Sequence, residues 1–239
     1  MDTFVELLAD YSLSAETIKT LQSIDLVILF GITGSGRNTI INHLVDTGRD
    51  HFVVSDTTRP PKIRDGKLEQ DGIQYNFRSE EEVLCDIKDG KYLEAEIIHN
   101  QQVSGISISE LERAKKSEKV PINEVDIKGT VNILKVKPDT KMFFIVPPSY
   151  DEWIKRLDAR EQMSQEELSN RINTALRVLR IGLAGEHFRF VINESSLESS
   201  KVIDKQVVSG SIDELQDKAV RQIAQKILLD IERHHVSTP

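Results

Sequence analysis

The sequence predicts an α/β fold in which a parallel sheet is flanked by helices. Three observations predict it. Short, continuously apolar runs recur, as in Leu26-Val27-Ile28-Leu29-Phe30 and in the stretch Lys141–Val146. Such runs, without polar alternation, mark strands covered on both faces. Segments with helical spacing and N-terminal capping signals lie between them. Strands and helices then alternate along the chain, the pattern of parallel strands joined by crossover helices.

The elements follow in order. Residues 2–22 read as one or two short helices: Phe4, Leu7 and Leu8 share helical spacing, and Ser14 can cap a second helix through Leu21. Asp25–Phe30 is the first strand, followed by a glycine-rich turn and a helix over Asn38–Val45. His51–Ser55 is a second strand. Pro60, Pro61, Gly66 and Gly72 mark a long charged loop ending near Phe77. Ser79 and Glu82 have capping-box spacing and open a helix through Lys88. Strands at Tyr92–Ile98 and Val120–Asp126 flank a helix over Ser109–Ser117, and Pro147-Pro148 closes the strand Lys141–Val146. Ser149 with Glu152, Ser164 with Glu167 and Ser211 with Glu214 repeat the capping spacing. They open helices through Leu157, toward Leu179 and to Arg233, with a last strand at Phe188–Ile192 between the second and third. There is no internal repeat.

The 239 residues, 38% hydrophobic and 29% charged, suit a globular protein with a substantial core. A net charge of −8 argues against a nucleic-acid groove, which needs a basic face, but leaves room for a local phosphate pocket. The single cysteine, Cys85, excludes an internal disulfide and reads as a half-buried helix residue. No apolar run reaches the roughly 20 residues of a membrane span. The acidic N-terminus lacks the basic start of a signal peptide, so the cytoplasm is the expected setting. His187, His234 and His235 have no ligand spacing with a cysteine or acid, so no resident metal site is expected.

The first strand and its helix are joined by Gly31-Ile32-Thr33-Gly34-Ser35-Gly36-Arg37-Asn38-Thr39. Glycines let a backbone wind so that successive N–H groups face a phosphate, and the helix N-terminus adds partial positive charge. The P-loop pattern is G-x-x-x-x-G-K-S/T. Both end glycines are kept, but Arg37 replaces the lysine and Asn38 the hydroxyl residue. Arginine is a planar fork rather than a point charge. Asn38 offers Mg²⁺ only an amide oxygen, and Thr39 comes one position too late. The alternative is a glycine-rich connection without a ligand.

Ser55-Asp56-Thr57-Thr58-Arg59-Pro60-Pro61-Lys62 resembles the S-x-T-T-R-x-P-R segment of guanylate kinases. Glu69-Gln70-Asp71-Gly72-Ile73-Gln74-Tyr75-Asn76-Phe77 is similar to that family's E-x-x-G-x-D-Y-x-F, and Gly90-Lys91-Tyr92-Leu93-Glu94 to its G-x-F-x-E. Val125-Asp126 with Gly129, Phe144–Ser149, Arg156-Leu157 with Arg160, Asn170-Arg171 and Val191-Ile192-Asn193 follow in the family's order. The resemblance spans residues 25–194.

It implies a P-loop core, a small GMP-binding lobe and a helical lid, and transfer of phosphate from Mg·ATP to GMP. The implied boundaries are an N-terminal extension over 1–24 and a guanylate kinase-like domain over 25–236. Within the latter, the core is 25–54, 118–150 and 186–236, the GMP lobe 55–117, and the lid 151–185. By motif position, Arg59 and Tyr75 hold the GMP phosphate, and Lys62 stands for a second arginine. Ser55, Glu94 and Asp126 read guanine. Gly31, Thr33, Gly34, Ser35, Gly36, Arg37, Asn38 and Thr39 cradle ATP, and Asn193 lies near the adenine end. Arg37, Arg160 and Arg171 neutralise the transferring phosphoryl group, and Mg²⁺ arrives with ATP at Asn38.

The sequence also departs from the family. A phosphate-contacting tyrosine is replaced near Ser104-Gly105, and the register with the family slips by one residue there, at the approach to Ser107 as a guanine contact. The loop between Lys62 and Glu69 is longer, and residues 195–210 read as an insertion. These departures leave an alternative open: a weak or inactive guanylate-kinase-like module that binds nucleotide or protein.

Overall fold

The computed structural model describes residues 1–64, 66–98, 101–159 and 164–235. Helices α1 (Asp2–Ala9) and α2 (Ala15–Gln22) lead into β1 (Val27–Gly31), α3 (Arg37–Asp46) and β2 (Asp50–Phe52). Short strands β3 (Asp56–Thr57), β4 (Ile63–Arg64), β5 (Lys67–Leu68) and β6 (Asn76–Phe77) precede α4 (Glu80–Lys88). Strands β7 (Tyr92–Ile98) and β8 (Gln102–Ser107), helix α5 (Ile108–Lys116), strand β9 (Val120–Glu124) and helix α6 (Ile127–Val136) come next. The chain ends with β10 (Lys141–Val146), α7 (Tyr150–Asp158), α8 (Gln165–Ala184), β11 (Arg189–Ile192), α9 (Ser196–Ser209) and α10 (Glu214–His235).

The chain divides into two compact units. One comprises Met1–Leu26, His51–Asn123 and Val131–Thr140; the other comprises Val27–Asp50, Glu124–Thr130 and Lys141–Pro239. In the latter, β11, β10 and β1 pair in that order, all parallel, with Val27 opposite Lys141 and Phe143 opposite Arg189. Helices α3 and α8 pack on β1, and α9 and α10 on β11. The core is aromatic: the Phe144 ring lies 4.9 Å from both Phe30 and Phe190. This is the α/β arrangement that the apolar runs predict.

The other unit carries the sheet β6-β3-β8-β7, in which β3 and β6 are parallel and β8 is antiparallel to both β3 and β7. Helix α1 packs on α4 and β7. There Phe4, Val83, Ile87, Tyr92 and Val103 form a buried cluster.

The structure adds elements that the sequence reading lacks. β8 escapes notice because Ser104 and Gly105 break its apolar pattern. α6 (IKGTVNILKV) and α9 (SLESSKVIDKQVVS) are rich in glycine, serine and β-branched residues, weak helix formers that tertiary packing overrides. Residues 195–210, read as an insertion, are therefore mostly helix. The lengthened loop after Lys62 is a β-hairpin, Ile63 pairing with Leu68. Cys85 lies on α4 as expected but is exposed.

Candidate functional site

The glycine-rich turn sits between β1 and α3. Gly34 and Gly36 take φ of 85° and 89°, a left-handed backbone that side chains disfavour. A Cβ at Gly36 would also run into the Asn193 amide. The turn is braced from behind. Asn193 Nδ2 donates to the Ser35 carbonyl at 2.6 Å, and the Asn193 backbone N–H donates to Val146 at 2.7 Å. Trp153 Nε1 donates to the Thr33 carbonyl at 2.8 Å. Arg156 Nη2 donates to the Asn193 carbonyl at 3.0 Å. Two of these bonds tie the Thr33 and Ser35 carbonyls of the turn to neighbouring elements. Ser35 is fully buried, and its Oγ has no hydrogen-bond partner among the described residues.

Arg37 opens α3, where its charge was expected to meet phosphate. Its Nε lies 3.3 Å from Glu124 Oε2, and its Nη1 donates to the Val125 carbonyl at 3.4 Å. Its side chain is 19% exposed, so the guanidinium is held against the end of β9 yet open to solvent. Asn38 and Thr39 are both exposed on the first turn. Asp126, expected to read guanine, also caps α6: its Oδ1 accepts from the Gly129 N–H at 2.8 Å. Arg171 donates to Glu167 Oε1 at 2.5 Å, an i,i+4 pair on α8. Arg160 lies outside the described residues.

In the other unit, Arg59 is 8% exposed and Glu69 5%. The two form a forked pair, Nη1 to Oε2 at 2.5 Å and Nη2 to Oε1 at 2.9 Å. The Arg59 guanidinium stacks on Tyr75, 4.8 Å from the ring centroid, and lies 5.6 Å from that of Phe77. Arg59 and Tyr75, paired by motif, thus meet in space. The Glu69 hydrogen bonds hold the Arg59 charge on and push its pKa above the ordinary arginine value. Lys62 is exposed; its backbone N–H donates to Glu69 Oε2 at 2.9 Å across the β4–β5 hairpin.

Ser55 is half-buried, and its Oγ accepts from Asn123 Nδ2 at 3.5 Å. Glu94 is half-buried on β7, opposite Ile106. Next to Ser55, on β3, buried Asp56 accepts from Tyr92 Oη at 2.7 Å, Asn76 Nδ2 at 3.0 Å and Arg78 Nη1 at 3.2 Å. Burial pushes its carboxyl up, against the pull of those three donors. Ser104, which stands near the missing tyrosine's place, donates to Thr57 Oγ1 at 2.9 Å.

A family model described as guanylate kinase matches residues 23–210. The chain belongs to the guanylate kinase family. It is 34% identical over 180 residues to the guanylate kinase of Sulfurimonas denitrificans, covering 74% of this chain and 84% of that protein. It is 32% identical over 187 residues to the guanylate kinase of Corynebacterium diphtheriae, covering 77% and 94%. The crystal structure of guanylate kinase from Anaplasma phagocytophilum shares the fold, with a TM-score of 0.57 at 21% identity over 81% of this chain and 89% of that one.

Within this guanylate kinase domain, sequence reasoning missed three supporting residues. Glu69 opens the E-x-x-G-x-D-Y-x-F motif, and the signal for it is that an arginine held among apolar residues needs a carboxylate partner. Trp153 belongs to no phosphate-binding motif, yet its indole N–H donates to the Thr33 carbonyl of the glycine-rich turn. Glu124, at the end of an apolar strand, left no cue that it faces Arg37. Residues 1–22 and all of α10 lie beyond the family match.

Proposed function

We propose that this chain transfers the γ-phosphoryl group of ATP to GMP. The carrying observation is the glycine turn at the β1–α3 junction, held open by Asn193 and Trp153, in a chain of this family. Backbone N–H groups there and the start of α3 suit the donor phosphates. Arg37, which opens α3 directly after that turn, supplies the cation for the outer phosphates.

A GMP phosphate oxygen forms the new bond to the γ-phosphorus. The bond from that phosphorus to the bridging oxygen breaks, and ADP leaves with the electron pair. Such a transition state needs positioning and charge neutralisation more than covalent help. Arg59, stacked on Tyr75, holds the acceptor phosphate, with Lys62 as an outer cation. Ser55, Glu94 and Asp126 accept from the guanine edge, which adenine cannot match. Arg160 and Arg171 neutralise the transferring group from a lid over 151–185, while residues 55–117 form the acceptor lobe.

Among the described residues no cluster of three or more metal-binding side chains exists. Exposed Asn38 nevertheless fits a Mg²⁺ that arrives with nucleotide, since that ion keeps waters and phosphate oxygens and needs few protein ligands. Asn38 would hold it through its amide oxygen, and the ion would supply charge neutralisation for the donor phosphates. No helix among the described residues is long and apolar enough to cross a membrane, and the single exposed cysteine suits a reducing, cytoplasmic setting.

The test is ADP formation from Mg·ATP with GMP, dGMP, AMP, CMP or UMP supplied separately. Turnover should depend on GMP or dGMP. Absence of turnover with every acceptor, alongside GMP binding, would instead establish a binding module.

A further inference from the structure

The segment before residue 23 is not part of the matched family region, yet it is joined to the edge that carries Glu94. Tyr11 Oη donates to the Tyr92 carbonyl at 2.6 Å and accepts from the Tyr92 N–H at 2.8 Å. One hydroxyl thus engages both backbone groups of one residue. Tyr92 opens β7, an edge strand of its sheet, and edge strands otherwise leave such groups to water. The contact is close: the Ser14 N–H donates to the Gly90 carbonyl at 3.2 Å, and a Cβ at Gly90 would run into the Ser14 nitrogen.

The clamped residue sits at an irregularity. Tyr92 lies opposite Ser107 and Glu94 opposite Ile106, so Leu93 is an extra residue on β7. Bulges of this kind re-aim the side chains that follow them. Glu94 is the first residue past the bulge, and with Tyr11, Ser12 and Lys135 it lines one cavity of about 350 Å³. The Tyr92 side chain meanwhile donates to Asp56, the neighbour of Ser55.

We propose that Tyr11 is a positioning residue for guanine recognition, pinning the β7 bulge so that Glu94 meets the base. The inference rests on the guanylate kinase reading of the site. Tyr11 acts through Tyr92, to whose backbone its hydroxyl is bonded. A tyrosine that only fills space would serve equally well without its hydroxyl.

Tyr11→Phe keeps the ring and removes both hydrogen bonds. Steady-state kinetics of the full chain with GMP, IMP and ATP varied in turn separate the two roles. Losing hydrogen bonds of ordinary strength should raise KM for GMP about 3–10-fold. The KM for ATP and kcat at saturating GMP should stay unchanged, and the preference for GMP over IMP, which lacks the 2-amino group, should shrink. Phe4→Ala, which loosens the same extension without touching the hydroxyl, should lower the melting temperature and leave that preference intact. An unchanged KM for GMP and unchanged preference in Tyr11→Phe would overturn the inference, whatever the melting temperature does. So would an equal loss of preference in Phe4→Ala. If the wild type itself fails to use GMP, the reading of the site falls first and the inference with it. If the wild type works and only Tyr11→Phe is silent, the inference alone falls.

Discussion

Arg59 keeps a full charge at a position 8% exposed, which is tolerable only because Glu69 forks onto it and Tyr75 lies beneath it. Removing one member of a buried pair leaves the other unpaired, at a cost of about 3–5 kcal/mol. Glu69→Ala should therefore lose stability of that order in urea unfolding. Added GMP should restore part of it, because a phosphate replaces the missing carboxylate; a loss that GMP leaves untouched would argue against the phosphate role of Arg59. Arg37 poses the opposite case, a half-exposed cation resting on Glu124. Arg37→Lys should keep turnover with GMP. Arg37→Ala should lower kcat by about two to three orders of magnitude, the usual effect of losing one transition-state charge donor. The motif made Arg59 and Tyr75 legible as a pair because both lie in segments of fixed spacing. Glu69 and Glu124 were harder to foresee: which carboxylate faces which arginine depends on how the β4–β5 hairpin and the end of β9 are placed.

Capping signals show how far an element can be read from spacing alone. At α4 the box is reciprocal: Ser79 Oγ accepts from the Glu82 N–H at 3.2 Å, and Glu82 Oε2 accepts from the Ser79 N–H at 2.9 Å. At α7 and α8 the serine half forms, but Glu152 and Glu167 turn to Arg156 and Arg171 four residues on. At α10 the cap is Asp213, whose Oδ1 accepts from the Gln216 N–H at 3.0 Å, rather than the expected Ser211. The serine spacing located three helix starts because an N-cap is a local bond. The acidic partner was less legible because a neighbouring arginine competes for it. Ser79→Ala should cost about 1 kcal/mol of stability with the denaturant slope unchanged. Ser164→Ala should cost a similar amount and, by fraying the helix that carries Arg171, should lower kcat more than Ser79→Ala does.

At the scale of the molecule, the N-terminal extension decides how the family's domain is completed in this chain. Its two helices were legible from spacing. The docking of α1 onto α4 and β7, and of α2 onto α5, was not, since nothing in residues 1–22 names a partner. The docking ties global stability to one phenol. Burial pushes Tyr11 up to about 12, against its backbone hydrogen bond with Tyr92, whereas an unfolded tyrosine titrates near 10. With the folded pKa raised, the folded state holds the proton longer than the unfolded chain. The stabilisation is therefore complete below pH 10 and is lost as pH rises toward 12. Tyr11→Phe has no such proton. Its stability deficit against the wild type, measured by urea unfolding at a series of pH values, should be constant up to about pH 10 and narrow above it. Tyr92 is pushed up further still by burial and by Asp56, is common to both proteins, and cancels in the difference. A deficit that stays constant throughout would mean that the phenol is not held by Tyr92 in the way its two short hydrogen bonds indicate.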